Sequence, residues 1–413
     1  MTTNINTIMS QLTHQELGER LELFMTHPYT SGSVFMLPHG TKIYNTLQNY
    51  LRNEYKKRNY QEVITPQLAN IQLWKESGHW NHYQQNMFNF NIDNNDEKPT
   101  GDESDCYSLK PMNCPMHCLM FKRKSISYKL LPLRIADFGN LHRNELSGAL
   151  RGLTRLRKFT QDDAHIFCTY EQISSEIKSC LEFLNDVYNK FGFNYRITLS
   201  TRPDKFIGDI ELWNTAEQAL IKTLNEMKIV YSINEKDGAF YGPKIDVMLK
   251  DSLEREHQCG TIQLDFQLPE RFDLSYIDND NKKSRPVIIH RAILGSIERM
   301  MAILIEHYQG KLPMWISPRQ ISIIPVSNKP EFIEYCDKIV EYIKNNTQID
   351  SIDIYKSSET FTYRIRESEL MFYNYTIIIG KNEMKSDQIT FRHINHERKD
   401  LTIDFTKLIE YII

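Results

Sequence analysis

The sequence lacks long apolar runs, and none approaches the roughly 18 residues that a membrane-spanning helix needs. The N-terminal stretch, residues 1–19, has neither the apolar centre of a signal peptide nor the arginine richness of a transit peptide. Together these absences predict a cytoplasmic protein with no membrane partner, in a compartment that keeps thiols reduced.

An excess of charge of either sign is also missing. Lys and Arg number 50 and Asp and Glu 53, so the formal net charge is -3 and gives no global attraction to nucleic acid. Any contact with RNA would have to come from local basic strips. A chain of 413 residues with 25% charged and 40% hydrophobic residues is typical of a soluble globular protein with two or more domains.

The seven cysteines do not form the paired clusters that a structural zinc site or a disulfide framework would show. The one dense group lies in NCPMHC, where Cys114, His117 and Cys118 fall within five positions. A second cluster of this kind is missing. Either Cys114 is one ligand of a site assembled from distant segments, or the three side chains are ordinary packing residues, and the spacing leaves both alternatives open.

Apolar residues at helical spacing predict helices over 11–25, 42–58, 172–191 and 212–227. Short strand-like runs separated by turns lie between them, including a strand at 60–65 that Pro66 closes. The stretch RPVIIHRAILGSIERMM runs from a strand directly into a helix with one apolar face. This order of helices and short strands predicts an α+β fold with an antiparallel sheet rather than repeated βαβ units.

The segment PMWISP, residues 313–318, has the composition of a linker. After it, strands and helices alternate over 321–325, 329–344, 352–355, 361–370 and 375–379, as expected for a small α/β domain. We therefore predict two domains, residues 1–312 and 313–413.

Four segments, residues 109–121, 138–168, 238–247 and 290–300, resemble the catalytic core of the threonyl-tRNA synthetases, which are class II aminoacyl-tRNA synthetases. They include LKPMNCPMHCLMF, the run HRNE followed by RLRKFTQDDAHIFC, GAFYGPKIDV and HRAILGSIERM. The resemblance implies a class II antiparallel sheet flanked by helices, then an α/β anticodon-binding domain. It also implies a homodimer through the region leading to Pro66, and ATP-dependent ligation of L-threonine to tRNA(Thr) through threonyl-adenylate.

In that family a zinc ion is held by one cysteine and two histidines, and the matching positions here are Cys114, His165 and His290. Three protein ligands leave the fourth position of zinc open, which marks a working site rather than a structural one. In the family the open position takes the amino and hydroxyl groups of threonine. Valine lacks the hydroxyl, and a site built for a polar group strongly rejects such an analogue. The implied cofactors are Zn²⁺, and Mg²⁺ with ATP.

The resemblance assigns five side chains to ATP: Arg143, Glu145, Arg155, Phe159 and Arg299. It implies that Arg143 bridges the α-phosphate and the amino acid carboxylate, and that Arg299 holds the phosphate tail opposite Arg155. Glu145 would bind the adenine amino group, with Phe159 stacked on the ring. Arginine suits phosphate because its fork is permanently charged and can be bidentate, and the transition state spreads negative charge over the phosphate oxygens.

The family pattern places Gln161, Asp163, Tyr241 and Gln263 around the bound threonine. A carboxylate beside the ammonium and hydroxyl groups is the expected chemistry. His79, in SGHW, matches a histidine implicated in helping the 2'-hydroxyl of the terminal adenosine attack the adenylate, because a histidine near neutrality can relay that proton.

Arg366, Glu383 and Arg392 match family positions used for the anticodon. Three positions depart from the family pattern: Met116, Lys158 and Ser358. Glycine is usual at the first and frequent at the second, so we expect reshaped loops beside the zinc and the adenine. Asparagine is frequent at the third, so the resemblance supports anticodon recognition less strongly than catalysis.

Family members commonly carry N-terminal domains, including one that hydrolyses mischarged seryl-tRNA, and we expect a form without that domain because the resemblance starts near Gln11. Two other functions remain as alternatives. One is an amino-acid-activating enzyme that loads something other than tRNA, and the other is a non-catalytic RNA-binding protein that keeps only the fold.

Overall fold

The computed structural model describes residues 11–91, 106–250, 255–394 and 400–412. The chain divides into two compact units, one of Thr26–Val34 with Leu47–Ile303 and one of Met1–Met25, Phe35–Thr46 and Leu304–Ile413. The predicted division after residue 312 stays a prediction. The expectation about the segment before Gln11 lies outside the described residues.

The helices, in chain order, are α1 (His14–Arg20), α2 (Pro38–Lys57), α3 (Ile71–Glu76), α4 (His79–Tyr83), α5 (Cys114–Lys122), α6 (Ile173–Lys190), α7 (Ile210–Glu226), α8 (Gln267–Arg271), α9 (Ile297–His307), α10 (Pro330–Asn346), α11 (Phe361–Leu370), α12 (Lys381–Ser386) and α13 (Leu408–Ile412). Within the described ranges, no helix is both long enough and apolar enough to cross a membrane.

The strands are β1 (Phe24–Met25), β2 (Phe35–Met36), β3 (Gln61–Glu62), β4 (Leu68–Asn70), β5 (Asn89–Asn91), β6 (Cys106–Leu109), β7 (Ile126–Ser127), β8 (Leu133–Asp137), β9 (Asn140–His142), β10 (Lys158–Cys168), β11 (Tyr195–Ser200), β12 (Tyr231–Asn234), β13 (Lys244–Lys250), β14 (Glu256–Asp265), β15 (Tyr276–Ile277), β16 (Lys283–Ser284), β17 (Val287–Ser296), β18 (Ile321–Pro325), β19 (Ile352–Ile354), β20 (Tyr375–Ile379), β21 (Gln388–His393) and β22 (Leu401–Asp404).

The larger unit is built on a sheet in the order β12-β11-β13-β14-β17-β10-β8-β3, with β9 paired to β10. All pairings from β11 to β8 are antiparallel, and only the outer strands β12 and β3 pair in parallel. This confirms the predicted α+β class with an antiparallel sheet.

The two faces of this sheet carry different residues because side chains alternate along each strand. Apolar side chains of one face, among them Ile166, Ile262 and Ile289, form a core with α6 and α7. Directly neighbouring positions point to the other face, where His165, His290 and Gln263 are paired across three adjacent strands. The strand register therefore collects polar side chains from distant segments on one face.

The smaller unit holds a sheet in the order β19-β18-β20-β21-β22, parallel for the first three strands and antiparallel for the rest. Its core joins the inner strand residues to the apolar face of α10, including Phe332, Ile339 and Ile343. The predicted alternation of strands and helices is confirmed here.

Two elements differ from the sequence prediction. The helix predicted over 11–25 is wrong in length, because α1 ends at Arg20 and Phe24–Met25 pairs with Phe35–Met36 as a strand. Glu22 has a φ of 53°, which a continuing right-handed helix cannot hold, so the chain turns there. The strand predicted over 60–65 is reduced to Gln61–Glu62.

Candidate active site

Two adjoining cavities open on the polar face of the large sheet. The larger has a volume of about 380 Å³ and the smaller about 280 Å³. Four side chains line both cavities: Arg143, Gln161, Thr261 and Gln263. Two substrates bound in these cavities would therefore meet at the shared residues.

The larger cavity contains all five residues assigned to ATP: Arg143, Glu145, Arg155, Phe159 and Arg299. Arg299, in the first turn of α9, donates from Nε to the carbonyl of Thr154 (3.0 Å) and from Nη1 to the carbonyl of Gln258 (2.8 Å). Burial lowers the pKa of Arg299, although the guanidinium remains fully charged near neutrality. These backbone contacts fix a positive charge in the wall before any anion arrives.

Arg143 and Arg155 are held differently. The Arg143 guanidinium lies 5.0 Å from the centre of the Phe159 ring, a distance at which a cation is attracted to an aromatic ring. Arg155 donates from Nε and Nη2 to one carboxylate oxygen of Glu145, at 3.0 and 2.8 Å. An adenine amino group that binds Glu145 has to share this carboxylate with Arg155.

The smaller cavity is lined by Cys114 at the start of α5, His165 in the middle of β10 and His290 in β17. One ligand atom from each of the three lies within 4.8 Å of the other two. Nε2 of His165 and Nδ1 of His290 are 2.9 Å apart, because the register pairs these residues directly. Within the described residues this is the one group of three or more potential ligands close enough to hold a metal ion.

Burial determines the electrostatics of this cluster. Burial raises the pKa of the Cys114 thiol and lowers the pKa of the His165 imidazole, so without a cation the thiol is protonated and the imidazole neutral. Neutral imidazole is the form that binds a metal, and a cation would stabilise the thiolate. One sulfur and two nitrogens fit zinc with an open fourth position.

The cluster includes one member of the local trio, which favours the first of the two alternatives. His117 and Cys118 are buried on α5, but neither belongs to the group whose ligand atoms converge. Cys118 packs into an apolar cluster with Phe121 and Leu268. Only Cys114 joins a site assembled from distant segments.

The four residues assigned to threonine, Gln161, Asp163, Tyr241 and Gln263, all line the smaller cavity. Tyr241 donates its hydroxyl to Oε1 of Gln263, and its ring stacks on His290 with centroids 4.9 Å apart. Asp163 accepts a hydrogen bond from Asn113 (3.0 Å), and burial raises the pKa of its carboxyl group. A bound ammonium group would stabilise that carboxylate.

His79 is not among the residues that line either cavity. Its side chain is fully buried, with Nδ1 2.8 Å from the hydroxyl of Ser77 and Nε2 3.1 Å from the sulfur of Met112. Cys114 Sγ lies 3.7 Å from the same Nε2. Burial lowers the pKa of His79 to about 3, so the imidazole is neutral near pH 7.

The three residues assigned to the anticodon gather on the smaller unit. Arg392 of β21 forms ion pairs with Glu369 and Asp400, and Arg366 lies 3.8 Å from the same Glu369. Glu383 accepts from the backbone N–H of Gly380, at the start of α12, and from the hydroxyl of Thr390 in β21. All three therefore have partners within the unit, and Arg366 is the most exposed, with 60% of its side chain accessible.

Sequence reasoning missed several residues of the site. Gln258, Cys259 and Thr261 of β14 line the larger cavity, and Asp265 of the same strand contacts His290. Thr261, Gln263 and Asp265 alternate along β14, so the strand period of two, applied to Gln263 once the family resemblance had assigned it, could have identified its neighbours.

The departures from the family pattern have defined surroundings. Met116 lies within α5 and packs against Ile71, Trp74 and Met87. Lys158 places its ammonium group 3.7 Å from the buried carboxylate of Glu298. Nothing in the structure explains Ser358, which is exposed.

Residues 90–308 match the model of the "tRNA synthetase class II core domain (G, H, P, S and T)", and residues 320–413 match the "Anticodon binding domain". The chain is 52% identical to cytoplasmic threonine–tRNA ligase 1 of Rattus norvegicus over 92% of its own length and 53% of that protein. It is 52% identical to the probable cytoplasmic threonine–tRNA ligase 1 of Dictyostelium discoideum over 95% of its length and 54% of that protein.

The chain thus spans about half the length of these relatives. A crystal structure described as the RNA binding domain of threonyl-tRNA synthetase from Cryptosporidium parvum matches with a TM-score of 0.90 and 46% identity. That match covers 97% of this chain and 98% of the other. The chain therefore belongs to the class II tRNA synthetases and, within them, to the threonyl-tRNA synthetase family.

Proposed function

We propose that the protein is a threonine–tRNA ligase that activates L-threonine with ATP and transfers it to the 3' end of tRNA(Thr). The observation that carries the proposal is the pair of cavities joined at Arg143, one with three arginines and the other with the cluster Cys114, His165 and His290. An anion-binding cavity beside a metal-type cavity suits the joining of a nucleotide to a small polar amino acid. Relatives named threonine–tRNA ligase support the choice of amino acid.

In the activation step, the threonine carboxylate attacks the α-phosphate of ATP, which enters as its magnesium complex, and pyrophosphate leaves. Arg143 can contact groups in both cavities, so it would orient the carboxylate and the α-phosphate together. Arg299, which two backbone carbonyls hold in place, would face the departing phosphates. Phe159 offers a ring face to the adenine.

Threonine selection would depend on the smaller cavity. Zinc, held by Cys114, His165 and His290, would supply an open position for the amino and hydroxyl groups of the substrate. Asp163 would accept a hydrogen bond from the same groups, and Tyr241 with Gln263 would close the cavity around the side chain. Valine would leave these polar groups unpaired, which is a large penalty in a buried site.

For the transfer step, His79 is the proposed proton relay to the 2'-hydroxyl of the terminal adenosine. Arg366, Glu383 and Arg392 are the proposed anticodon contacts. We further propose a cytoplasmic homodimer with the domain division at residues 312 and 313, which falls between the two matched ranges.

The test is an aminoacylation assay of the purified chain with total tRNA, combined with threonine-dependent exchange of pyrophosphate into ATP. We expect exchange and charging with threonine and far weaker exchange with valine. Exchange without charging would favour an enzyme that loads another acceptor, and a loss of both activities in a folded protein would favour a non-catalytic RNA-binding role.

A further inference from the structure

Each histidine of the proposed metal site has one ring nitrogen turned towards the other ligands and one turned away. Nε2 of His165 faces Nδ1 of His290. The outward nitrogens meet different partners: Nδ1 of His165 lies 2.7 Å from Nδ1 of His117, and Nε2 of His290 lies 2.9 Å from Oδ2 of Asp265. One ligand thus has a carboxylate behind it, and the other has a third histidine.

The hydrogen-bond direction between His165 and His117 follows from metal binding. A neutral imidazole that offers one nitrogen to a metal keeps its proton on the other nitrogen. Bound through Nε2, His165 would therefore donate from Nδ1, and Nδ1 of His117 would have to accept. His117 would then carry its own proton on Nε2.

The surroundings of His117 favour this arrangement. Its Nε2 is buried and, among the described residues, has no hydrogen-bond partner, while Oδ2 of Asp137 lies 3.9 Å away. An N–H directed towards a carboxylate is attracted to it, whereas a nitrogen lone pair would be repelled. Burial of an imidazole nitrogen in this position is therefore less costly when it carries the proton.

Asp137 is itself held by two buried side chains. Thr65 donates its hydroxyl to Oδ2 of Asp137 (2.7 Å). The ammonium group of Lys110 donates to the hydroxyl oxygen of Thr65 (2.6 Å) and lies 3.6 Å from the carboxylate of Asp137. These groups and His117 are all buried, and polar burial of this extent costs free energy unless the groups hold each other. These buried polar residues lead from Lys110 through His117 to the proposed metal ligand His165, which gives them a role beyond packing.

We infer that His117 is a positioning residue for the metal site, which accepts the hydrogen bond of His165 and fixes that ring in its metal-binding tautomer, while the carboxylate of Asp137 favours the proton on Nε2 of His117. The inference rests on the proposed function, since it requires a metal at Cys114, His165 and His290. It also explains why a histidine that is not a ligand stands three residues after Cys114 on α5.

The test measures the zinc affinity of the full chain by competition with a chromophoric chelator. His117→Leu removes the acceptor and leaves an apolar side chain, whereas His117→Asn keeps an acceptor oxygen near the position of Nδ1. Loss of an outer partner of a metal-bound histidine typically weakens binding about 10–100-fold, which we expect for His117→Leu. We expect His117→Asn to recover most of that loss. Cys118→Ala, on the same buried helix, is the control and should bind zinc as the unchanged chain does.

Two further measurements separate positioning from packing. The visible absorption bands of bound Co²⁺ should shift in His117→Leu and return in His117→Asn, because the orientation of the His165 ring changes the ligand field. In the unchanged zinc-loaded chain, nitrogen NMR of the histidine rings should show His117 protonated on Nε2 and not on Nδ1. This second measurement does not depend on the folding of a variant.

A folded His117→Leu variant with unchanged zinc affinity and cobalt bands would overturn the inference and leave the proposed function intact. A proton on Nδ1 of His117 in the zinc-loaded chain would have the same effect. Absence of zinc binding by the unchanged chain would overturn both the inference and the zinc-dependent part of the proposed function.

Discussion

Replacement of Arg143 tests the proposed activation step most directly, because this side chain lines both cavities. Arg143→Ala removes a positive group from the position where negative charge would develop on the α-phosphate. Loss of one preorganised donor of this kind costs roughly 100–1,000-fold in rate, about 2.7–4 kcal/mol. We expect adenylate formation to slow by that factor.

The contacts of Arg143 predict a much smaller effect on stability. Its Nε donates to the carbonyl of Pro111 at 3.4 Å, which is a long hydrogen bond. Its guanidinium also lies 5.0 and 5.8 Å from the rings of Phe159 and Tyr83, and contacts of this type contribute about 0.5–2 kcal/mol, depending on burial. A large loss of rate with little change in unfolding temperature would distinguish chemistry from folding.

Two variants complete this experiment. Arg143→Lys keeps the charge but loses the fork of the guanidinium, so it should recover little of the lost rate. Arg202→Ala removes an arginine that lies 5.2 Å from the Phe206 ring and outside both cavities, so its rate should be unchanged. Pyrophosphate exchange and single-turnover adenylate formation measure the rates. A near-normal exchange rate in Arg143→Ala would refute the role given to this residue.

Three other predictions follow from the same structure. Metal analysis of the unchanged chain should find about one zinc ion per chain, and His290→Ala should lose that zinc together with threonine activation; retained stoichiometric zinc would contradict the assigned ligands. Arg366→Ala should weaken charging of tRNA and leave pyrophosphate exchange unchanged, and an equal loss of both would indicate a folding defect. Arg291→Met should lower the unfolding free energy by about 3–5 kcal/mol in urea titrations, because it removes the opposite charge that lies 3.3 Å from the buried carboxylate of Asp162 and leaves that carboxylate only the backbone N–H groups of Ile293 and Leu294; an unchanged midpoint would show that this pair adds nothing.

The sequence predicted the elements whose periodicity is strong. The α6 helix, the passage from β17 into α9, and β18, α11 and β20 agree with the expected positions to within a few residues, because burial of one face requires the regular spacing of apolar side chains. The predicted lengths of α1 and β3 are wrong because a turn ends the helix and a pairing of only two residues defines the strand. Glu22 adopts a positive φ although nothing in its residue type demands it.

The metal cluster shows which part of a site local spacing cannot give. Cys114, His117 and Cys118 are neighbours along the chain, but their spacing alone does not separate a metal ligand from ordinary packing residues. His165 and His290 become neighbours only through the register of β10 and β17, which depends on the pairing of the whole sheet. The resemblance of the motifs assigned His165 and His290 as ligands from the sequence. The contacts of their other ring nitrogens with His117 and Asp265 appear only in the folded structure.

His79 shows the opposite case, in which the residue type suggests more than its surroundings support. A histidine between Gly78 and Trp80 has the chemistry of a proton relay, but its environment gives a neutral ring behind the cavity wall. Met112 lines the smaller cavity and its sulfur contacts Nε2 of His79, so a substrate hydroxyl that binds this nitrogen would have to replace that contact. Because a methionine side chain is flexible, its movement out of that contact costs little. The proposed role of His79 in transfer therefore requires the Met112 side chain to rearrange.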